Sequence, residues 1–414
     1  MTKIHHVHLY GDRGAKYNWL SAKNIASTDW SALRPESPFH LLIPQDMNLW
    51  GEYEKGWKIT DIMPVNSVGI ATARDKFTIH WSADETWNTV SDFINLNPEE
   101  ARNKYNLGKD VRDWKVDFAQ NDLRSSGPDR ENIQPLLYRP FDIRYTYYTG
   151  KSRGFHCMPR GGVMQHMLAK NNIALITSRL TKGEVFRHVQ ISDSIVEVIC
   201  MSPKTSNNGF VFPLYCLPTT AAERSMGIDV IPNFSKTFIG EIHSSIGLNV
   251  EAFEIFSYIY SILHCPSYRN RYTEFLKIDF PKIPLTKDPN TFRKLSQIGI
   301  DLINLHLMRS EQLDISITSF QDLGKRTVAP GYPKYESGKV LINKQGDGFT
   351  GVPEEVWNFH VGGYQVCHKW LKDRKGRTLS DDDILHYQRI VVALKETITL
   401  MKKIDEAIPY WPIE

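Results

Sequence analysis

Arginine and tyrosine side chains are interleaved over residues 138–157, whose sequence is YRPFDIRYTYYTGKSRGFHC. A guanidinium group can bind a phosphate, and it can also chelate O6 and N7 of guanine in the major groove. A tyrosine offers a flat ring for stacking and a hydroxyl group for hydrogen bonding. The stretch is too charged for a protein core and too aromatic for a solvated loop. These side chains therefore predict contact with a nucleic acid.

Positive charge is concentrated in the same part of the chain. Nine lysines and arginines, Lys170 among them, and two acids lie between Arg139 and Gln190, so this segment carries +7 and the remaining residues −4. A local excess of this kind attracts a polyanion, although the whole chain carries only +3. A solvated basic face is the alternative, but the predominance of arginine and the interleaved aromatic residues favour DNA contact. The residues predicted to contact DNA are Arg139, Arg144, Tyr147, Tyr148, Lys151, Arg153, Arg160, Arg179, Lys182 and Arg187.

These side chains are expected to divide into those that read bases and those that bind phosphates. Glycines or a strand end next to three of them leave the side chains free to reach base edges: Arg153, Arg160 and Arg179. Arg144 is a weaker candidate, because the tyrosines around it can hold it in place. For Arg139 the alternative is an internal ion pair with Asp142. Lys151 and Lys182 are expected to bind phosphates, and the turn GKSRGF could cup a phosphate with its backbone N–H groups.

Other chemistry has weak support in the sequence. His6 and His8 would share one face of a strand and could ligate a metal with a third residue, but an ordinary strand is the favoured interpretation. Asp113 and Lys115 form half of a nuclease metal pattern, a match that arises easily by chance. The chain has no G-x-x-x-x-G-K-[ST], G-x-G-x-x-G, G-x-S-x-G or H-E-x-x-H motif, and none of the [DNS]-P-P-[YFW] type. We therefore expect no cofactor, metal site or catalytic residue in this chain.

Composition indicates a globular protein of two to three domains, at about 150 residues per domain. Apolar residues make up 41% of the 414 positions and aromatic residues 11%, enough for a sizeable core. The N-terminus does not resemble a signal peptide, and no apolar run has the length of a membrane span. Five scattered cysteines without a C-x-x-C pair are typical of a reducing cytoplasm. The expected location is the cytoplasm.

Alternating strand and helix patterns predict an α/β (α+β) fold with a mixed sheet core, flanking helices and a long C-terminal helix. Predicted strands include KIHHVHLYG, PFHLLIPQD, NIALITSR, SIVEVICMS and FVFPLYCLP, together with the stretch at 57–81. Predicted helices include 97–123, which begins at Asn97 before Pro98, and EAFEIFSYIYSILHC, PSYRNRYTEFLK and TFRKLSQIGIDLINLHLM. Residues 330–363 are expected to form hairpins and loops.

The C-terminal helix has the clearest pattern. Ser380 and Asp383 form a start that resembles a capping box. Apolar residues then recur at three- and four-residue spacing: Ile384, Tyr387, Val391, Leu394, Ile398 and Met401. Such a stripe faces either the core of its own chain, which is the favoured interpretation, or a partner helix.

Long stretches of the chain resemble the C-terminal DNA-specificity region of Type ISP restriction–modification enzymes. They include WKITDIMPVNSVGIATARDKF, LLYRPFDIRYTYYTGKSRGFHCMPRGGVMQHML, CPSYRNRYTEFLKIDFPKIPL and GVPEEVWNFHVGGYQVCHKWLKDRKGRTLS. The resemblance implies recognition of an asymmetric double-stranded DNA sequence beside a methyltransferase that flips adenine. It also implies that S-adenosylmethionine, ATP and Mg²⁺ act only through nuclease, helicase and methyltransferase domains that are absent here. The chain is then a fragment, or a shortened product that works with another chain.

The predicted organisation has three parts: 1–125 adjoining the methyltransferase, a basic target-recognition core at 126–290, and a helical and hairpin region at 291–414. The leading hypothesis is a DNA-recognition module that works with a methyltransferase and a helicase–nuclease, in cis or in trans. An adenine-specific methyltransferase or restriction enzyme is the first alternative. A protein-interaction scaffold that docks through the 380–407 helix is the second.

Overall fold

The computed structural model describes residues 3–37, 40–44, 46–168, 171–218, 230–246 and 250–413. Its contacts divide the chain into two compact units, residues 1–53 and 54–414. Helices and small sheets occur in both units, which confirms the mixed α/β class. No helix within the described ranges has the length and apolar character needed to cross a membrane.

The first unit is thinly packed. Strand β1 (Ile4–His6) pairs antiparallel with β2 (Ser31–Leu33), helix α1 (Arg13–Ala22) follows β1, and α2 (Trp50–Tyr53) ends the unit. Asp12 caps α1 by accepting a hydrogen bond from the backbone N–H of Ala15 at 2.8 Å. No residue of α1 is buried. The strand predicted over KIHHVHLYG is confirmed in a shorter form.

The second unit holds the remaining helices and strands. Its helices are α3 (Ile59–Ile62), α4 (Asp75–Thr78), α5 (Ala83–Phe93), α6 (Pro98–Lys104), α7 (Val116–Ser126), α8 (Gly161–Met167), α9 (Lys236–Ile246), α10 (Ala252–His264), α11 (Pro266–Arg271), α12 (Thr273–Leu276), α13 (Pro289–His306), α14 (Glu354–Trp357), α15 (Val366–Asp373) and α16 (Asp381–Ala407). Its strands are β3 (Trp57–Lys58), β4 (Ser67–Val68), β5 (Ile133–Arg139), β6 (Asp142–Tyr147), β7 (Ala174–Ser178), β8 (Val189–Ser192), β9 (Ile195–Val196), β10 (Gly209–Pro213), β11 (Tyr215–Cys216), β12 (Ile231–Pro232), β13 (Lys282–Ile283), β14 (Ser319–Gln321), β15 (Lys334–Glu336), β16 (Lys339–Leu341), β17 (Gly348–Thr350), β18 (His360–Val361) and β19 (Tyr364–Gln365).

Two sheets carry the basic part of the sequence. One is antiparallel with the order β4–β10–β7–β8, and every residue of β7 and β8 is buried. The other has the order β6–β5–β9, in which β5 and β6 form an antiparallel hairpin and β9 pairs parallel to β5. The connections that follow β6 and β7 contain most of the predicted DNA contacts. A third sheet has the order β14–β17–β16–β15; β15, β16 and β17 lie in the predicted hairpin stretch at 330–363, and β14 lies before it.

One hydrophobic cluster supports the connection after β6. It contains the buried rings of Phe77, Phe93, Trp114, Tyr147 and Phe155, with the Phe77 and Phe93 centroids 4.6 Å apart. These residues come from both sides of position 125. The predicted boundaries near 125 and 290 both fall inside the second unit.

Helices α10, α13 and α16 pack together. A Cβ atom at Gly299 of α13 would lie 1.9 Å from the carbonyl oxygen of Ser257, so this close approach to α10 requires a glycine. The predicted capping box of α16 is present. Four residues of its predicted stripe are buried, Ile384 through Leu394, while Ile398 and Met401 are half-buried. The stripe therefore faces the core of its own chain.

Several predicted elements differ from the structure. The single helix predicted over 97–123 is two helices, α6 and α7, although the cap at Asn97 before Pro98 is confirmed. The stretch at 57–81 holds short helices as well as strands, and SIVEVICMS contributes only β9. The described residues of PFHLLIPQD form no strand, and positions 38, 39 and 45 lie outside the described ranges.

Candidate nucleic-acid interface

The first loop, residues 148–160, connects β6 to α8 and is fixed from inside by a buried carboxylate. Asp122 of α7 is 1% exposed, and its Oδ2 accepts hydrogen bonds from the Thr149 hydroxyl and the Phe155 N–H, both at 2.8 Å. The indole N–H of Trp114 donates to the Phe155 carbonyl at 3.1 Å. These three hydrogen bonds join the loop to α7 and to Trp114, so the loop has a defined shape.

The backbone of the first loop is also tightly constrained. A Cβ atom at Gly154 would lie 2.1 Å from the Asp122 carboxylate, so only glycine fits there. Arg153 and Arg160 have φ angles of 55° and 57°, in the left-handed region that residues with a Cβ rarely adopt. Such conformations persist when the surroundings enforce them, and they occur often at functional sites.

Three predicted contact residues lie on the outside of the first loop. Lys151, Arg153 and Arg160 are all exposed. Lys151 Nζ donates to the Ser125 hydroxyl at 3.0 Å, and Arg153 forms an ion pair of 3.4 Å with Asp113. Within the described part of the chain, Arg160 has no hydrogen bond or ion pair of its side chain, so its guanidinium group is free to bind a ligand.

The second loop, residues 179–188, connects β7 to β8 and is held by Glu184. This carboxylate accepts hydrogen bonds from His188 Nε2 at 2.8 Å, from Asn207 Nδ2 at 2.7 Å and from the Ser202 hydroxyl at 2.9 Å. A Cβ atom at Gly363 would lie 2.4 Å from Glu184, so the backbone behind the loop approaches it closely. The one acid of the second loop thus points into the protein.

The protonation state of Glu184 follows from these contacts. Partial burial acts to raise the pKa of its carboxyl group, but the hydrogen bonds from His188, Asn207 and Ser202 outweigh it and lower the pKa to about 2. Glu184 is therefore ionised at neutral pH and stays bonded to its donors.

The outside of the second loop is basic. Arg179, Lys182 and Arg187 are exposed. Arg179 Nε lies 3.1 Å from Asp279, whereas the side chains of Lys182 and Arg187 have no hydrogen bond or ion pair with a described residue. Lys204 adds a cation that the sequence did not indicate, because it lies far along the chain. Its Nζ donates to the Gly183 carbonyl at 2.8 Å.

Two of the arginines predicted to contact DNA are buried and form ion pairs inside the protein. Arg139 is 5% exposed, and its guanidinium group lies 2.6 Å from Glu197. Arg144 is 9% exposed and lies 2.9 Å from Asp142. Asp142 bonds to Arg374 as well, at 3.1 Å. Arg139 thus has an internal ion pair, as the alternative interpretation required, but with Glu197 in place of Asp142.

The two predicted tyrosines are buried as well. Tyr147 is fully buried, and its hydroxyl accepts from the Asp129 N–H at 2.9 Å and donates to the Gly127 carbonyl at 3.1 Å. The Tyr148 hydroxyl donates to the Pro159 carbonyl at 3.0 Å, inside the first loop. In this structure the four buried residues hold the β5–β6 hairpin and the first loop in place, so we leave them out of the proposed surface.

The weaker alternatives gain no support. Among the described residues no group of three His, Cys, Asp or Glu side chains could hold a metal, and the His6 and His8 rings simply pack edge to face at 4.4 Å. Asp113 bonds to Arg112 and Arg153. Lys170, which is part of the charge excess, lies outside the described ranges.

The family comparison and the structure comparison agree. A family model described as the Type ISP C-terminal specificity domain matches residues 61–403. A search of curated protein sequences gave no match.

Three similar solved structures are complexes with DNA or a DNA mimic. They are a cryoEM structure of a DrdV–DNA complex (TM-score 0.72, 17% identity), a nuclease-deletion mutant of the Type ISP restriction-modification enzyme LlaGI in complex with a DNA substrate mimic (0.69, 20%), and the ATP-dependent Type ISP enzyme LlaBIII bound to DNA (0.65, 16%). The alignments cover 97%, 100% and 93% of this chain but only 43%, 39% and 26% of those chains. At these identities the likeness shows a shared fold, and this chain spans less than half of each relative.

Proposed function

Because the chain belongs to the Type ISP C-terminal specificity domain family, we propose that it recognises a sequence in double-stranded DNA through its two basic loops. The observation that carries the proposal is the same in both loops. An acid, the buried Asp122 or the partly buried Glu184, fixes the loop from inside, and the exposed side is lined by cations. A loop of fixed shape can place side chains on defined base edges, and its cations supply binding to phosphates.

The exposed arginines differ in how free they are. Arg160 has no bonded partner in the described chain, while Arg153 and Arg179 are held by Asp113 and Asp279. A held arginine must leave its carboxylate, or share it, to bind a base. Arg160 is therefore the first candidate for base contact, and the other two follow.

The proposal includes partners and a location. A methyltransferase and a helicase–nuclease, joined in cis or bound in trans, would supply the chemistry together with S-adenosylmethionine, ATP and Mg²⁺. Such a system acts on DNA in the cytoplasm. The chain itself would contribute recognition and no turnover.

The competing scaffold hypothesis loses its main surface in the structure. The apolar stripe of α16 packs against α13 of the same chain and is not open to a partner helix. For the enzyme hypothesis, the direct test is an assay of the purified chain for methyl transfer and cleavage. Turnover that remains after repurification, and that follows the protein through a column, contradicts a pure recognition role.

The test of phosphate contact uses duplex DNA of random sequence and fluorescence anisotropy at several salt concentrations. Lys182→Gln should weaken binding of all sequences alike and reduce the slope of log affinity against log salt by about one. Lys294→Gln is the matched control, because Lys294 is exposed on α13 and has no bonded partner among the described residues. Equal slopes for the two variants contradict the assignment of the second loop.

The test of base contact begins with selection of a preferred sequence from a random pool. Arg160→Ala should lose about 1–3 kcal/mol on that sequence and much less on random DNA. The melting temperature should change little, because the guanidinium group has no internal partner. A lower melting temperature with unchanged discrimination shows instead that Arg160 holds the loop together.

A further inference from the structure

A group of stacked guanidinium and aromatic side chains lies next to the β5–β6 hairpin. The guanidinium carbon of Arg144 is 3.8 Å from the centroid of the Trp81 indole and 4.0 Å from that of Tyr138. Arg377 lies 4.2 Å from the same indole. Arg144 is buried and paired with Asp142, but Arg377 is exposed. Among the described residues, no acid and no hydrogen-bond acceptor binds the Arg377 side chain.

Trp81 and Arg377 of this group line a cleft of about 620 Å³ between β6 and the start of α16. The lining includes Trp81, Tyr145, Trp370 and Arg377. Exposed apolar side chains stand at its rim, Ile143 at 43% and Leu385 at 46% exposure. A cleft of this size, in which aromatic rings stand among charged side chains, is suited to a flat, polar small ligand.

Two polar groups of the cleft lack partners. Trp370 is 2% exposed, and its buried indole N–H has no hydrogen bond with any described residue, which is unusual for a buried donor. The exposed carboxylate of Asp382 has no bonded partner within the described ranges. The buried Trp370 N–H is closed off from the cleft, so Asp382 supplies the unused acceptor beside the aromatic side chains.

The charge balance of the cleft argues against a simple phosphate site. Arg374 is neutralised by Asp142 and Asp383, at 3.1 and 3.2 Å, and Arg389 lies 2.5 Å from Asp314. Of the three arginines that line the cleft, Arg377 alone has no acid partner among the described residues, and Asp382 lines the same cleft. Selection here would depend on stacking and on hydrogen bonds, because the charges nearly cancel.

We propose that this cleft binds a single unstacked nucleobase, which packs on Arg377 or Tyr145 and donates a hydrogen bond from its edge to the Asp382 carboxylate. Guanidinium planes and aromatic rings are the usual platforms for unstacked bases. The inference rests on the proposed function for the source of the ligand, a nucleic acid. A free nucleoside has the same chemistry, so the experiment includes both sources.

The experiment measures quenching of 2-aminopurine fluorescence by the full chain, with the probe base in a short single-stranded oligonucleotide or as the free deoxyriboside. Stacking quenches this base, and the effect should persist at salt concentrations that abolish duplex binding. Arg377→Lys keeps the charge but loses the planar group, and it should weaken quenching by about fivefold or more. Lys375→Gln is the control, because this exposed neighbour has no bonded partner among the described residues.

The quenching results either support the base site or overturn it. Quenching by the oligonucleotide alone supports an unpaired base within DNA as the ligand, and quenching by both probes supports a site open to free nucleosides. Absence of quenching with either probe overturns the inference, and so does equal quenching by the wild type and Arg377→Lys. Asp382→Asn provides a second variant that should also weaken binding, without touching the stacked group.

Failure of this inference can be told apart from failure of the proposed function. The duplex test depends on Lys182 and Arg160 in the loops, whereas the quenching test depends on Arg377. If Lys182→Gln changes duplex binding and Arg377→Lys does not affect quenching, recognition stands and the base site fails. The reverse pattern removes the loops as the duplex surface and leaves the base site in place.

Discussion

Replacement of Glu184 should destabilise the second loop by an amount that depends on what replaces it. Glu184→Ala removes the acceptor of three donors, on His188, Ser202 and Asn207. A buried donor without a partner costs about 1–3 kcal/mol. The Glu184 side chain is 13% exposed, so water can reach part of the gap. We therefore expect Glu184→Ala to lower the free energy of unfolding by about 3–5 kcal/mol, which is the lower part of the summed cost for three donors.

Glu184→Gln should be much milder. The amide oxygen can take the place of the Oε2 atom that binds His188 and Asn207, and the Ser202 hydroxyl can rotate to accept from the amide nitrogen. What disappears is the negative charge, which makes such hydrogen bonds stronger by about 1 kcal/mol each. The expected loss for this variant is about 1–2 kcal/mol.

The assay combines urea denaturation with hydrogen exchange of peptides that cover residues 179–188. Exchange there should rise strongly in Glu184→Ala and slightly in Glu184→Gln, and DNA affinity should fall in the same order. The pKa of Glu184 in the folded protein, about 2, lies below its ordinary value of 4.5. The stability that the ionised carboxylate contributes is therefore fully present above pH 4.5 and disappears as pH falls towards 2. The difference in the free energy of unfolding between the wild type and Glu184→Gln should shrink over that pH range. If Glu184→Ala unfolds within about 0.5 kcal/mol of wild type, a value typical of surface changes, the carboxylate does not anchor the loop.

Three further predictions concern stability. Burial lowers the pKa of His156 and His306 to about 3, so below pH 6.5 these histidines take up protons in the unfolded chain but stay neutral in the native chain. The free energy of unfolding should therefore fall as pH drops from 6.5 towards 3, by up to about 1.4 kcal/mol per pH unit for each histidine. Denaturation curves at stepped pH values check this. Gly154→Ala should distort the first loop, because its Cβ meets Asp122, and lower both the melting temperature and DNA affinity; unchanged values would mean that the loop can move away. Ser380→Ala should remove the cap of α16 and cost about 1 kcal/mol, measured by denaturation, with no change in DNA affinity.

The elements that the sequence predicted well are those set by local chemistry. The caps at Asn97 and Ser380 depend on residues three positions apart, and both are present. The buried strand at 174–178 was visible as a short β-branched run. Helix 97–123 was overpredicted because the break at 105–115 is stabilised by distant contacts, such as Arg74 over the Trp114 ring at 4.8 Å.

The candidate site was only partly accessible to sequence reasoning. Charge density located the two loops, and their exposed cations are where the composition indicated. The burial of Arg144 and Tyr147 could not be inferred, because their partners are distant in the chain or belong to other elements: Trp81 and Asn132. Lys204 was missed for the same reason. It joins the basic surface because its Nζ donates to the Gly183 carbonyl of the second loop, a contact that no sequence motif indicates.

The inward direction of Glu184 has a practical consequence for protein engineering. Its bonds to His188, Ser202 and Asn207 fix the course of the second loop without using the outward side chains of the loop itself. Exposed positions such as Leu180 and Val185 can therefore be randomised in a library while the interior stays constant. Selection from that library could redirect the protein to new target sequences, with most members still folded.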